Sequence, residues 1–322
     1  MPLIESHYKS PFWLRNGHLA TIIPSTFRQV EDVAYERERI ITEDNDFLDI
    51  DWLKNDSDKL VVISHGLEGS SERPYVKGMA KYFAQHGWEV VAWNCRSCSG
   101  EINKTSRFYH HGATDDLDTV IKHALKAKDY KTVALVGFSM GGSLTTKYIS
   151  ERGSTIADNI MGGVAFSMPV SLKSSVDALS TSSIKFYQKR FLKKLEIKVK
   201  TKAEKYPELV QYNGFEHIKS FIDFDNEYTA PLHGFKDAFD FYEKASAGKY
   251  MHETQRPILF CNALNDPFLG EACYPFQECR NSEFLYLETP DHGGHVGFTL
   301  PNSEVNYMEV RALEFLEDLL KK

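Results

Sequence analysis

The chain has 322 residues, a formal net charge of -7 and 42% hydrophobic residues, which suits one large α/β domain with an insertion, or two domains, around a sizeable core. The acidic balance argues against a general nucleic-acid binder. Five cysteines, Cys95, Cys98, Cys261, Cys273 and Cys279, suggest no disulfide framework and point to a reducing compartment. The first ten residues lack the charged-then-apolar pattern of a secretory leader, and no apolar run is long enough to span a bilayer, so a cytoplasmic protein is expected.

Residues 1–32 mix aromatic and polar groups without clear periodicity and read as an ordered arm wrapping the domain. His18 in this arm is taken to satisfy local hydrogen bonds rather than to act chemically. Residues 33–42 and 47–53 are strand-like and joined by the polar turn E-D-N-D, which predicts an antiparallel hairpin. The apolar run Leu60, Val61, Val62, Ile63 is followed by H-G-L-E-G. A buried strand followed by H-G-x-x-G supports an oxyanion-binding loop, with His65 and Gly66 in the motif and the Leu67 amide as the donor. A glycine turn before the helix that Pro74 opens is the plainer alternative.

A helix over 75–85 and a strand over 88–93 come next. Cys95 and Cys98 have C-x-x-C spacing but no second pair to complete a zinc site, and read as ordinary thiols. His110 and His111 are adjacent and are expected to face different ways. Thr114 is a plausible N-cap, with Asp115 and Asp116 in the first helical turn.

The most informative stretch is 132–145, T-V-A-L-V-G-F-S-M-G-G-S-L-T. A β-branched run, then G-x-S-x-G, then a helix-compatible segment is the context of a nucleophile elbow, with Ser139 at its apex. Gly137 and Gly141 fit there because strand and helix must approach closely on both sides of the serine. A small-residue turn is the alternative. After a strand over 162–166 the alternation stops. Residues 171–250 read as a helical, irregular insertion, an expected cap over the active edge of the sheet. Most of its aromatics are assigned to core and a few to an acyl pocket. The basic run Lys185, Lys189, Arg190, Lys193, Lys194, Lys198, Lys200, Lys202 is best explained as a solvated helix face, with weak membrane-surface contact as the alternative.

The alternation restarts at 258–262. Asp266 follows that strand in A-L-N-D-P-F, and 284–287 is the last strand, followed by T-P-D-H-G-G-H-V-G-F. Two histidines among glycines suit a mobile imidazole. A metal site of His292, His295 and Asp291 is the rival, and is not favoured because a triad explains the loop without further ligands. A helix over 304–320 closes the domain. The core is therefore expected to comprise residues 1–170 and 251–322, with the cap at 171–250. The fold class is α/β, with a mostly parallel sheet covered by helices on both faces.

Taken together, N-G-H-L-A-T, H-G-L-E-G-S-S, G-F-S-M-G-G-S-L, A-L-N-D-P-F and H-G-G-H-V-G-F resemble the motifs of the α/β-hydrolase superfamily, and more closely of its YheT-like (EMB8-like) hydrolases. The resemblance implies the α/β-hydrolase fold and a carboxylic ester hydrolase acting on short- to medium-chain acyl esters, in some relatives on acylglycerols or phospholipids. It carries over Ser139 as nucleophile, Asp266 as acid and His295 as base, the last because it is the histidine of the G-G-H element. It leads one to expect glutamine where Ala20 stands and glycine where Ser97 stands. The amides of Leu67 and Met140 are the expected oxyanion donors, the partner a small acyl ester, and no metal or organic cofactor is required. The alternatives are acyl transfer or amide hydrolysis on the same three residues, and a non-catalytic lipid- or protein-binding homologue.

Overall fold

A computed structural model describes residues 2–181 and 184–321; Met1, Lys322 and, inside the expected cap, Ser182 and Ser183 lie outside the described residues. The chain opens with a two-residue strand β1 (Leu3–Ile4) and the helix α1 (Gly17–Phe27), then the hairpin β2 (Glu36–Ile41) and β3 (Phe47–Leu53). Strands and helices then alternate through β4 (Lys59–Ser64), α2 (Pro74–Gln85), β5 (Glu89–Asn94), α3 (Thr114–Ala127), β6 (Thr132–Phe138), α4 (Met140–Arg152) and β7 (Ile160–Phe166). After β7 come α5 (Leu172–Leu179), α6 (Lys185–Lys205), α7 (Phe221–Phe224), α8 (Ala230–His233) and α9 (Ala238–Ala245), with no strand among the described residues. The chain returns to the sheet as β8 (Ile258–Cys261), α10 (Phe276–Arg280), β9 (Leu285–Glu288) and α11 (Tyr307–Leu320).

The nine strands form one sheet in the order β1-β9-β8-β7-β6-β4-β5-β3-β2. Only the β2–β3 and β3–β5 pairings are antiparallel. Strand β4 shows why its sequence is uninterruptedly apolar. Leu60 and Val62 pack into one core with Leu117 and Val120 of α3 and Leu144 of α4, while Val61 and Ile63 pack into another with Val76 and Phe83 of α2 and Leu316 of α11. A strand covered on both faces needs apolar side chains at every position, not at alternate ones. This is the mostly parallel, two-face-covered sheet expected from the alternation, and the α/β-hydrolase fold that the motif resemblance implies.

The register places the ends of five strands side by side. Ser64 pairs with Gly137, Phe138 with Phe166, Phe166 with Cys261 and Cys261 with Glu288. Loops leaving these parallel strands share one rim, where ligands of open α/β sheets bind.

Several expectations need correction. The arm is ordered, as expected, but carries a strand and a helix that its lack of periodicity did not announce: Leu3 and Ile4 pair in parallel with Leu287 and Glu288, and residues 17–27 are helical with Asn16 as N-cap, its side chain accepting from the His18 and Leu19 N–H groups. Thr114 is not an N-cap; it is the first helical residue, and its hydroxyl donates to Glu151 instead. Asp115 and Asp116 do sit in the first turn, but they pair with Arg107 and Arg96. The basic run is not wholly a solvated face. Lys202 is fully buried, donating to Asn103 Oδ1 (2.6 Å) and the Thr105 carbonyl (2.7 Å), and it fastens α6 to the loop after β5. Ser97, where glycine was expected, does adopt the positive φ (62°) that glycine would suit. Its hydroxyl bonds Asn103 Oδ1, a local contact that glycine lacks.

Candidate active site

Ser139 sits between β6 and α4 with φ 52° and ψ -118°, a conformation that L-residues avoid and that the surroundings must enforce. Its N–H donates to the Phe166 carbonyl (2.9 Å). The two glycines make the turn possible. A Cβ on Gly137 would lie 2.1 Å from the Gly141 carbonyl oxygen, and one on Gly141 would lie 2.1 Å from that of Ser64. The strained backbone lifts the serine side chain off the sheet rim. Its Oγ lies 2.9 Å from His295 Nε2.

His295 Nδ1–H donates to Asp266, whose oxygens are 2.9 and 3.1 Å away, leaving Nε2 to accept from the serine. Asp266 is nearly fully buried and also accepts the Phe268 N–H (2.8 Å). The Phe268 ring stacks on the imidazole, 4.1 Å between centroids. The three residues singled out by sequence, spread over strand ends far apart in the chain, thus form one hydrogen-bonded row. His295 rather than His292 reaches Ser139. No group of three His, Cys, Asp or Glu side chains among the described residues is arranged to hold a metal ion.

Sequence reasoning missed what holds the imidazole loop. The His295 N–H donates to Thr21 Oγ1 (2.8 Å), and the Thr21 hydroxyl donates to the Gly17 carbonyl (2.7 Å). Gly294 N–H donates to Asn265 Oδ1, and Asn265 Nδ2 donates to the Arg15 carbonyl. Val296 N–H donates to Ser167 Oγ. The arm motif N-G-H-L-A-T is therefore a buttress for the Asp266 and His295 loops. Ala20, where glutamine was expected, is 2% exposed and packs against Gly294 and Gly297 of the histidine loop. The His18 ring does not bond locally as expected: its Nδ1 lies 3.3 Å from the hydroxyl of Tyr187, on α6, and so joins the arm to the helical insertion. The only signal for these contacts was the motif's recurrence with the others; nothing in its spacing pointed to His295.

On the other side of Ser139, His65 organises the H-G-L-E-G loop. Cys95 N–H donates to His65 Nε2 (3.1 Å), so the ring proton is on Nδ1 and donates to the Gly66 carbonyl (2.7 Å). Burial pushes the His65 imidazole down to about 4, so it is neutral near pH 7. Gly66 N–H is taken by the Tyr75 hydroxyl (3.0 Å). Among the described residues, nothing accepts from the N–H groups of Leu67 and Met140. Glu68, next to Leu67, is anchored by Lys198 of α6 (2.6 Å) and the Tyr109 hydroxyl (2.5 Å). Lys198 Nζ also approaches Cys98 Sγ (3.3 Å), and both members of the C-x-x-C pair are free thiols.

Ser139, His295 and Leu67 open into a cavity walled by the helical insertion, with Leu172, Val176, Leu179, Leu195, Val199 and Phe221 among its apolar lining. His110 and His111 both border this cavity. Asp225 lies in its wall, accepting from Thr229 and Tyr242 hydroxyls, and burial raises its carboxyl to about 6.

Residues 55–213 match the family model described as serine aminopeptidase, S33. The chain is 30% identical over 289 residues to the putative esterase YheT of Escherichia coli, covering 88% of this chain and 84% of that protein. It is 25% identical over 320 residues to human phospholipase ABHD3, covering 92% of this chain and 75% of that one. The Pyrococcus furiosus esterase Pf2001 shares the fold with a TM-score of 0.60 at 20% identity, over 90% of this chain and 96% of that one. No helix among the described residues is long and apolar enough to cross a membrane. With its strand order, its elbow and a 30% identical relative matched over most of both chains, the protein belongs to the YheT-like branch of the esterase- and lipase-like α/β-hydrolases.

Proposed function

We propose that the protein hydrolyses carboxylic esters of short- to medium-chain acyl groups in two acyl-transfer steps. His295 takes the proton of Ser139 as its oxygen attacks the ester carbonyl, and then returns it to the leaving alcohol. Asp266 holds the imidazole in the tautomer that leaves Nε2 free and stabilises its charged form. The N–H groups of Leu67 and Met140 bind the oxyanion; losing one such donor costs about 3 kcal/mol of transition-state stabilisation. Water then attacks the acyl-enzyme, with His295 acting as base again. Segment 171–250 acts as the cap, and its apolar wall receives the acyl chain. Five free thiols suit a reducing compartment, the cytoplasm.

The observation that carries this reading is the 2.9 Å approach of Ser139 Oγ to His295 Nε2, with Asp266 on the opposite ring nitrogen. The names of the esterase and phospholipase relatives support the same chemistry and suggest acylglycerols or phospholipids as natural substrates. The test is Ser139→Ala assayed with p-nitrophenyl esters of graded length. The variant is expected to fold as the wild type and to lose activity on the order of 10⁴-fold or more. Activity within tenfold of wild type, or failure of a fluorophosphonate to label Ser139, would overturn the proposal.

A further inference from the structure

The turn that carries the Leu67 amide contains a residue in a backbone region that its type avoids. Gly69 N–H donates to the Gly66 carbonyl (2.9 Å), closing a four-residue turn with Leu67 and Glu68 at its centre. Glu68 has φ 54°. A positive φ at the third position of a turn belongs to glycine or asparagine, and any other residue there must be held by its surroundings. Three groups hold Glu68. Its N–H donates to the Tyr109 hydroxyl (3.0 Å), which donates in turn to Glu68 Oε1 (2.5 Å). Arg73 Nη2 donates to the Glu68 carbonyl (3.3 Å). Lys198 Nζ donates to Oε1 (2.6 Å).

Lys198 differs from the other two because it comes from α6, in the helical insertion, 130 residues along the chain. Its neighbours Leu195 and Val199 wall the cavity. The Glu68 and Lys198 side chains are 7% and 11% exposed, and no other cation pairs with this carboxylate among the described residues. Without the ammonium the carboxylate is left buried and uncompensated and must leave its place. Glu68 then has no reason to keep its strained φ, the peptide between Leu67 and Glu68 is free to rotate, and the turn no longer fixes the Leu67 backbone. Docking of α6 does not need this pair, since Lys202 fastens the same helix to Asn103 and Thr105.

Building on the esterase reading, in which the Leu67 amide binds the oxyanion, we propose that Lys198 is a positioning residue of the oxyanion hole: it locks Glu68 in its strained conformation and so ties the oxyanion donor to the helical insertion. The test takes Lys198→Met with p-nitrophenyl acetate, whose short acyl group reports little on the cavity wall that Lys198 also borders. Rates are referred to the fraction of Ser139 that a fluorophosphonate labels, so misfolded protein does not count. The expected result is a fall in kcat of about tenfold or more with KM little changed, a loss confined to the transition state. A trifluoromethyl ketone, whose adduct with Ser139 carries the oxyanion, should lose affinity by the same factor. The deciding variant combines Lys198→Met with Glu68→Gly. Glycine takes a positive φ without steric cost, so it holds the turn unaided, and kcat should return to within about threefold of wild type. Neither a direct pull of the ammonium on the oxyanion nor a general loosening of the insertion would be repaired by a glycine in the facing loop. The proposal is overturned if Lys198→Met keeps wild-type kcat, or if the double variant stays as slow as the single one. Either result leaves ester hydrolysis by Ser139 standing, whereas failure of the esterase reading leaves the wild type itself without turnover.

Discussion

The Ser139 side of the site is built from chain neighbours, whereas the His295 side is assembled from segments up to 274 residues apart. Ser139 owes its place to a strand, a helix and two flanking glycines, all within 132–152. Its position is set by sterics, and the strain at φ 52° is held by the packing of β6 against α4. His295 owes its place to the hydrogen bonds it donates to Thr21 and Asp266, and to the loop that Asn265 ties to Arg15. Such bonds each contribute about 1 kcal/mol net. The first arrangement should therefore break all at once, and the second should weaken by degrees.

The sharpest break is Gly141→Ala. The added Cβ would fall 2.1 Å from the Ser64 carbonyl oxygen, a backbone atom that cannot step aside without moving β4. The expected loss is about 4 kcal/mol or more of folding stability, at the upper end for single substitutions. Denaturant unfolding measures it. A loss under about 1 kcal/mol would mean that strand and helix are not as tightly apposed as the geometry requires.

A second break, in the H-G-L-E-G loop that packs against the elbow, uses pH. His65 is fully buried, and its imidazole is lowered from 6.5 to about 4. For a histidine lowered on folding, the native state favours the neutral ring. The stabilisation is complete above about pH 6.5 and is lost as pH falls towards 4. The shift corresponds to about 3 kcal/mol. Unfolding free energies at pH 7.5 and 4.5 should fall by at least this amount in the wild type, since His111 and His233 act with the same sign. In His65→Gln the drop should be smaller by about 3 kcal/mol. An identical drop in both proteins would remove His65 as the acid-sensitive clamp of the H-G-L-E-G loop.

The same contrast explains what could be read from the sequence. The elbow was legible because glycine, serine and glycine at fixed spacing report a local steric problem with few solutions. The sheet was legible because strands covered on both faces carry continuous apolar runs. Asp266 and His295 came from the order of motifs along the chain, and their row with Ser139 is a fact of the strand register. Thr21, Asn265 and Ser167 stayed hidden because a threonine, an asparagine and a serine carry no periodicity that tells a loop buttress from a surface residue. The arm's helix was missed because Pro24 lies inside it and its apolar residues do not keep to one face. In α6, lysines that point inward look the same in a sequence as those that point out; only the acceptors at Asn103 and Thr105 set Lys202 apart.

The gentlest test separates support from chemistry at Thr21. Valine has nearly the shape of threonine but cannot accept the His295 N–H, so Thr21→Val leaves that donor unpaired while filling the same space. Thr21, on α1, is buried against the histidine loop, so a purely structural role would show as a lower Tm with the activity of the folded fraction unchanged. A positioning role predicts the reverse emphasis. The imidazole would sample orientations in which Nε2 no longer meets Ser139, and kcat would fall about tenfold, equivalent to about 1.4 kcal/mol, with KM for a p-nitrophenyl ester little changed. The rate of fluorophosphonate labelling at Ser139 should fall in parallel, because it needs the same proton acceptor. Thr21→Ser keeps the hydroxyl and should restore most of kcat. Wild-type kcat in the valine variant would mean that Asp266 and Asn265 hold the histidine loop without help from the arm.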